Sequence, residues 1–505
     1  GAAALIKTIL AMEHGTIPHM PAFRKLTGGA TLVNPSLVIP TTLRPWQPAA
    51  NGERIAAVST SGFGGVNYHC LLAHREQWTA PESRPTVSRK MAIVGMTAKV
   101  AGADSVDEFW RNSVEGKDVF SPVDRDALGW SATRVERPAN ERITTRRIGL
   151  IGDYVFDALK FRMFPRSLSQ ISPTQLLALH LCDRLLTGRG LPLADPKNIG
   201  VSIGSMHDDY YPTIFMPVLC AEFAGALRCC PAYQRVRSAA FDACIDETVA
   251  HFIAAAPPTT EHTLPGWMTN ITPGRLANKM NLRGPNFVVD SACSSGVAAF
   301  VPAMYQLMFG KVDMMITGGI NRQTSDVFSC AVTQLDAVAE AEARPYDRDG
   351  RGFLIGEGGA LFLVKRLDDA RRDGDRILGI IHAVSGSSEA KSKSMVAPTE
   401  EAIRLGIRNA LAQADIAPSQ IGVVDTHGSA NLVSDVMEAR AIAAELRSQD
   451  GDPVCVLATK SHIGHLYGGS GATSMMTIVQ ALRTRTAPGI RRLEHLRPEL
   501  DGVIR

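Results

Sequence analysis

No stretch of this sequence is both long and apolar enough for a membrane span. A helical crossing needs about 18 apolar residues in a row; the best candidate, Gly296 to Gly310, is shorter and contains Gln306. Cysteine is dilute, with nine in 505 residues at irregular spacing. That count argues against a disulfide-stapled secreted scaffold, and a reducing, cytoplasmic setting is expected. An excess of one charge sign is also missing: Lys and Arg total 53 against 50 for Asp and Glu, for a net charge of +3. The balance leaves no electrostatic footprint for nucleic acid. The chain opens on Gly1 with no basic-then-apolar leader, so no targeting segment is expected. What is present is 45% hydrophobic and 20% charged residues. This mix builds a sizeable core and excludes disorder. The length suits about three ordinary domains or one large composite.

Two segments at opposite ends resemble each other. GAAALIKTILAMEHGTIP from Gly1 and GATSMMTIVQALRTRTAP from Gly471 align without a gap, with Gly1/Gly471, Ala2/Ala472, Ala11/Ala481, Thr16/Thr486 and Pro18/Pro488 identical. Ala-rich helices give such matches by chance; as a repeat, the offset would be 470 residues. Between them, residues 74–89 (HREQWTAPESRPTVSR) are polar and aperiodic with two prolines, as a linker requires. At ~3.3 Å per residue this stretch reaches about 50 Å, too little for another domain. Beyond it, apolar runs bounded by turn residues predict buried strands at 91–96, 198–204, 287–290, 313–319, 359–366, 422–428 and 454–460. Helical periodicity predicts helices over 105–116, 174–187, 294–309, 399–413, 434–447 and 470–484. Alternation of this kind indicates an α/β fold. Residues 206–262 read as less regular; their Cys220, Cys229, Cys230 and Cys244 fit no zinc spacing and read as small apolar residues.

Four segments carry reactive groups. NFVVDSACSSGVAAFVPAMYQLMFG is strand, tight turn, then helix, with Cys293 at the turn. The N–H groups and positive end of a helix there would favour a thiolate, and the small neighbours Ser291 to Gly296 would leave room for a substrate. VVDTHGSANLVSDVMEA puts His427 at a strand's C-terminal end, where α/β sites collect. VLATKSHIGHLYGGSGA places Lys460, His462 and His465 beside a run of glycines, and RPYDRDGRGFLIGEGGALFLVKR places Glu357 in a Gly-rich turn. Singly, these read as a core thiol, loop histidines, a solvated lysine and a turn acid. Together, one nucleophile and two imidazoles at strand ends meet the requirements of thiol-mediated acyl transfer. A metal site is not expected, because the spacings are long and no ligand pair shares a helix face.

With these motifs in order, the chain resembles the β-ketoacyl synthase (condensing enzyme) family of polyketide and fatty acid synthases. The likeness runs through most of the chain in permuted order. Residues 90–505, from MAIVGMTAKVAGADSVDEFW, resemble a ketosynthase domain lacking its C-terminal strands. Residues 1–75, ending in IAAVSTSGFGGVNYHCLL, resemble the C-terminal tail of a preceding copy, and 76–89 are the linker. EHTLPGWMTNITPGRLANKMNLRGPNFVVDSACSS is similar to iterative synthases of polyunsaturated fatty acids, in which two condensing-type domains stand in tandem. The resemblance implies a thiolase-like α/β fold, with duplicated halves in five layers, αβαβα. Cys293 matches the acyl-accepting nucleophile of D-x-A-C-S-S, His427 the histidine of H-G-T-G-T, and His465 that of K-x-x-x-G-H. Lys460 and Glu357 match supporting charged positions. No bound cofactor is implied: substrates ride on the phosphopantetheine of an acyl carrier protein, and a second ketosynthase-like domain is the expected dimer partner. The implied reaction is a decarboxylative Claisen condensation between an acyl-cysteine and a malonyl-carrier thioester. Departures fall on substrate-binding positions: Ser429 and Asn431 replace the threonines of H-G-T-G-T, and Ser61 stands where a gating phenylalanine is usual. Ser434 replaces a glycine and His462 an asparagine, whereas Asp435 and Glu438 keep the pattern. Two competing readings are a non-condensing, chain-length-factor-like partner domain and a thiolase-like enzyme using free coenzyme A.

Overall fold

The computed structural model describes residues 1–21, 23–24, 38–63, 65–74, 90–124, 143–190, 198–206, 211–256, 259–322, 325–391, 397–446 and 454–503. The expected 76–89 linker lies outside them. The chain forms two compact units, Gly1–Thr86 and Val87–Arg505. In the first, helix α1 (Ala2–Glu13) packs on an antiparallel hairpin of β1 (Arg54–Gly62) and β2 (Val66–His74). Both members of the sequence repeat are helical: α1, and the Ser470–Thr484 helix of the second unit.

The second unit is built on a six-stranded mixed sheet. Its strands are β3 (Met91–Val100), β4 (Ile199–Gly204), β5 (Asn286–Val289), β6 (Met314–Asn321), β7 (Gly358–Arg366) and β8 (Gly379–Ile381), in the order β8-β3-β7-β6-β4-β5. β6, β4 and β5 run parallel, and β7 is antiparallel to both β6 and β3. Period-two alternation sends Met91 and Ile93 of β3 into one apolar core and Ala92 and Val94 into the other. Because both faces are covered, β3 is apolar almost throughout. One core lies under α2 (Pro173–Thr187) and α3 (Ile271–Lys279); the other lies under α4 (Phe300–Met308) and the long helix at Ser470–Thr484. Ser172 starts α2 by accepting the Thr174 N–H at 3.1 Å, with Pro173 at the first helical position.

A second, parallel pair completes the layers. β9 (Val423–Asp425) and β10 (Cys455–Leu457) run side by side, and the Ser470–Thr484 helix packs between β9 and the large sheet. Val456 of β10 packs against the core cluster that holds Val436 and Ala439, so α6 (Leu432–Leu446), paired with α5 (Glu400–Ala414), forms the outermost layer. The resulting order is helix, sheet, helix, sheet, helix. With Ser470–Thr484 labelled α7, the C-terminal ends of β5 and β9 and the N-terminal end of α7 supply the site described below.

All seven expected strands and all six expected helical regions are present. Two differences stand out. The three-residue β8 is too short to show a period. The stretch 206–262, less regular in sequence, contains among its described residues helices Tyr211–Cys229, Pro231–Val236 and Ala239–Ala255. These escape a periodicity reading because apolar residues also occupy their exposed sides; Phe223, Phe241 and Ile253 point outward. Cys229 and Cys244 are exposed rather than packed as core residues.

Candidate active site

At the end of β5 the backbone reverses through Asp290 and Ser291 into a tight turn, Ala292–Ser294. Asp290 accepts the Ala292 N–H at 3.0 Å and holds Ala292 at φ +52°, an unfavourable angle for a residue with a Cβ. Ser295 ties the turn shut, its hydroxyl accepting the Ser291 N–H at 2.9 Å and donating to the Ala292 carbonyl at 2.6 Å. Cys293 sits half-buried on this elbow. Ser291, Ala292 and Ser294 are exposed, whereas the glycines at Gly296 and Gly319 permit backbone-to-backbone packing. A Cβ on Gly296 would lie 2.5 Å from the Ala472 nitrogen, and one on Gly319 would lie 2.3 Å from the Gly468 carbonyl. The elbow is thereby pressed against Tyr467–Gly469, the turn that follows His465.

His427 follows β9, and its own peptide is gripped from both sides. Glu438 of α6 accepts the His427 N–H at 2.6 Å, and the Lys460 ammonium donates to the His427 carbonyl at 2.7 Å. The other Glu438 oxygen takes the Gly428 N–H and the Tyr346 hydroxyl, each at 3.0 Å. His465 is 1% exposed and hangs between Leu354 and Gly356, to which its main chain bonds at 2.7 and 3.0 Å. Its Nδ1 accepts the Tyr467 N–H at 2.8 Å. That bond fixes the tautomer, so the neutral ring carries its proton on Nε2. The two imidazoles stand edge to face with centroids 5.7 Å apart.

Lys460 governs the electrostatics. Its charge, followed by burial, pushes His427 down to about 3; burial, followed by Lys460 and His427, holds His465 well below the ordinary histidine range. Both rings are therefore uncharged at neutral pH. Burial pushes the Cys293 thiol up, and the opposing pull of Lys460 and of the cysteine's own N–H does not reverse this. The expected resting thiolate is thus replaced by a neutral thiol. The helix that begins at the elbow, Ser295–Ala298 and, past the helical Ala299, Phe300–Met308, does not outweigh that burial.

The remaining sequence candidates disperse. Glu357 is buried, but its carboxylate faces Arg322 at 3.4 Å. His462 turns away, with Nε2 2.9 Å from the Gly489 carbonyl. Asn431 uses its side-chain oxygen on the Val433 and Ser434 N–H groups, at 3.1 and 3.4 Å, as the cap of α6. Ser429 is buried beside Asp435. Ser61 lies exposed on β1 of the first unit. Sequence reading overlooked Tyr346, whose N–H bonds Asp435 at 2.8 Å and whose hydroxyl bonds Glu438; its only signal is its place in the R-P-Y-D run.

A thiol on a strained elbow and two neutral imidazoles thus lie within reach of one buried lysine charge, at the strand ends of a five-layered α/β unit. Comparison with known proteins places the chain more narrowly. The Beta-ketoacyl synthase N-terminal domain matches residues 88–370 and the corresponding C-terminal domain matches 378–494. The chain belongs to the β-ketoacyl synthase family and has its thiolase-like fold. Among curated relatives, a polyunsaturated fatty acid synthase polypeptide from Thraustochytrium is 28% identical over 428 residues, covering 82% of this chain and 15% of that protein. A phenolphthiocerol/phthiocerol polyketide synthase polypeptide from Mycobacterium tuberculosis is 28% identical over 427 residues, covering 83% of this chain and 25% of the relative. The chain therefore spans a quarter or less of these relatives' length. Among solved structures, a ketosynthase from module 6 of the Bacillus subtilis bacillaene synthase superposes with a TM-score of 0.67 at 21% identity, covering 81% of this chain and 64% of that one. A Streptomyces albus oxazolomycin ketosynthase domain gives 0.67 at 22% identity, covering 82% and 66%. No helix among the described residues is long and apolar enough to cross a membrane.

Proposed function

We propose that residues 90–505 act as a 3-oxoacyl-[acyl-carrier-protein] synthase, an acyltransferase that extends chains held on carrier phosphopantetheine. The observation that supports this reading is a neutral imidazole pair and an elbow thiol that share the charge of one buried lysine, Lys460. The Cys293 sulfur attacks the carbonyl of an acyl-carrier thioester; the acyl–sulfur bond re-forms on Cys293, and the carrier thiol leaves with the proton. A malonyl-carrier thioester then loses carbon dioxide, and its enolate carbon attacks the acyl-cysteine carbonyl. A carbon–carbon bond forms, the Cys293 thioester breaks, and the released thiolate takes up a proton. The enolate oxygen needs N–H donors that add no permanent charge, and the Nε2–H of His465 is one such donor. His427, whose side chain remains accessible, is the second.

An acyl carrier protein and a second ketosynthase-like domain are the partners this reading requires. The outer edge of β5, which borders the large sheet and pairs only with β4 among the described residues, offers a surface to the second domain. The test is incubation with acyl-carrier thioester followed by intact-mass measurement. A mass gain of one acyl group, absent in Cys293→Ala, supports the condensing reading. No gain in the unaltered protein overturns it and favours the non-condensing, chain-length-factor-like partner.

A further inference from the structure

Lys460 is 4% exposed and cannot remain an ammonium there without anionic support. Around it stand the carboxyls of Asp425, Glu438 and Asp435, the thiol of Cys293, and the rings of His427 and His465. Glu438 is engaged by the His427 and Gly428 N–H groups and the Tyr346 hydroxyl. Asp435 receives the Tyr346 N–H and has Arg497 as a cation of its own. The cation that acts on Asp425 is Lys460, and of the three carboxyls Asp425 supports the lysine charge most. It ends β9, and its Oδ1 accepts the N–H of Thr459, the residue before Lys460, at 3.0 Å. Ser474 of α7 lies beside the same carboxyl, and Oδ2 is buried without a hydrogen bond among the described residues.

We propose that Asp425 is a positioning residue, whose carboxylate keeps Lys460 charged and directed at the His427 carbonyl. It touches no substrate. It acts through the Thr459 N–H, which sets the start of the Lys460 turn, and through the field of a carboxylate close enough to support the lysine charge. The proposal rests on the condensing reading for its kinetic consequence but not for its structural one. Burial pushes the Asp425 carboxyl up to about 6. It is therefore ionised above that pH and loses its hold on Lys460 as the pH falls through it.

The test uses Asp425→Asn, which keeps an acceptor for Thr459 but removes the charge, and Asp425→Glu, which retains the charge. The first readout is the Lys460 ammonium pKa by NMR, which needs no turnover. It should fall in Asp425→Asn and stay near the unaltered value in Asp425→Glu. No fall in the Asn variant, or an equal fall in both, overturns the proposal. The second readout is malonyl-carrier decarboxylation across pH, beside the intact mass of acylated Cys293. Asp425→Asn should still acylate and should decarboxylate about ten- to a hundredfold more slowly, the weight of one charge-assisted hydrogen bond. It should also lack the drop that the unaltered protein shows below about pH 6. A variant with unaltered rate and profile overturns the proposal. An unaltered protein that neither acylates nor decarboxylates sinks the condensing reading instead, and the NMR result still decides the role of Asp425.

Discussion

His462→Asn should make the protein markedly more tolerant of acid. His462 is 5% exposed, its Nε2 meets the Gly489 carbonyl at 2.9 Å, and its Nδ1 has no hydrogen-bond partner among the described residues. Burial, reinforced by the Arg491 charge and only partly offset by Gly489, pushes its pKa from 6.5 to about 4. In the unfolded chain the ring takes a proton below 6.5; in the folded chain it resists until about 4. Stability attributable to this ring is therefore intact above pH 6.5, declines as the pH falls, and levels off below about 4. At ~1.4 kcal/mol per pH unit, the interval amounts to about 3 kcal/mol. Asparagine does not titrate, and its amide can still face Gly489. The assay is urea unfolding of both proteins at neutral pH and at about pH 4, comparing the loss between the two conditions. The variant should lose about 3 kcal/mol less. Equal losses would refute the argument that this imidazole is held neutral by burial.

Three further outcomes are expected. Lys460→Met should move the His427 titration up from about 3 toward 6.5, because the lysine charge is the first cause of its depression; histidine C2–H NMR reads this, and an unmoved resonance refutes it. Gly296→Ala puts a Cβ 2.5 Å from the Ala472 nitrogen and should cost about 1–3 kcal/mol of overpacking, with slower Cys293 acylation as the elbow shifts; unchanged melting and acylation would contradict the packing argument. Asn431→Ala should lower stability by about 1 kcal/mol through loss of the α6 cap, leaving the carrier KM unaltered. A change in KM without a change in melting would return Asn431 to substrate binding.

Much of the large sheet was legible because strands covered on both faces must be mainly apolar, as β3 is but for Thr97 and Lys99. The helices over 211–255 were not, since apolar residues on their exposed sides blur the period. At the site, Cys293, His427 and His465 were visible because each sits in a turn of small residues after a strand or beside glycines. Their protonation was not visible: the thiol's local turn suggested a thiolate, whereas burial, a property of the whole fold, decides for the thiol. Asn431 looked like a binding residue on its position in a motif, yet its side chain also suits the start of a helix, and that is where the fold uses it. The grip of Glu438 on the His427 peptide joins α6 to the end of β9, a pairing that the D-x-x-E spacing permits but does not dictate.

The main-chain seams at Gly296 and Gly319 carry a warning for mutagenesis. Alanine scanning works by deletion, and at these positions there is no side chain to delete. A survey of that kind would map the reactive groups and pass over the framework that aligns them. Only enlarging substitutions, one methyl at a time, can reveal how narrowly the elbow is set.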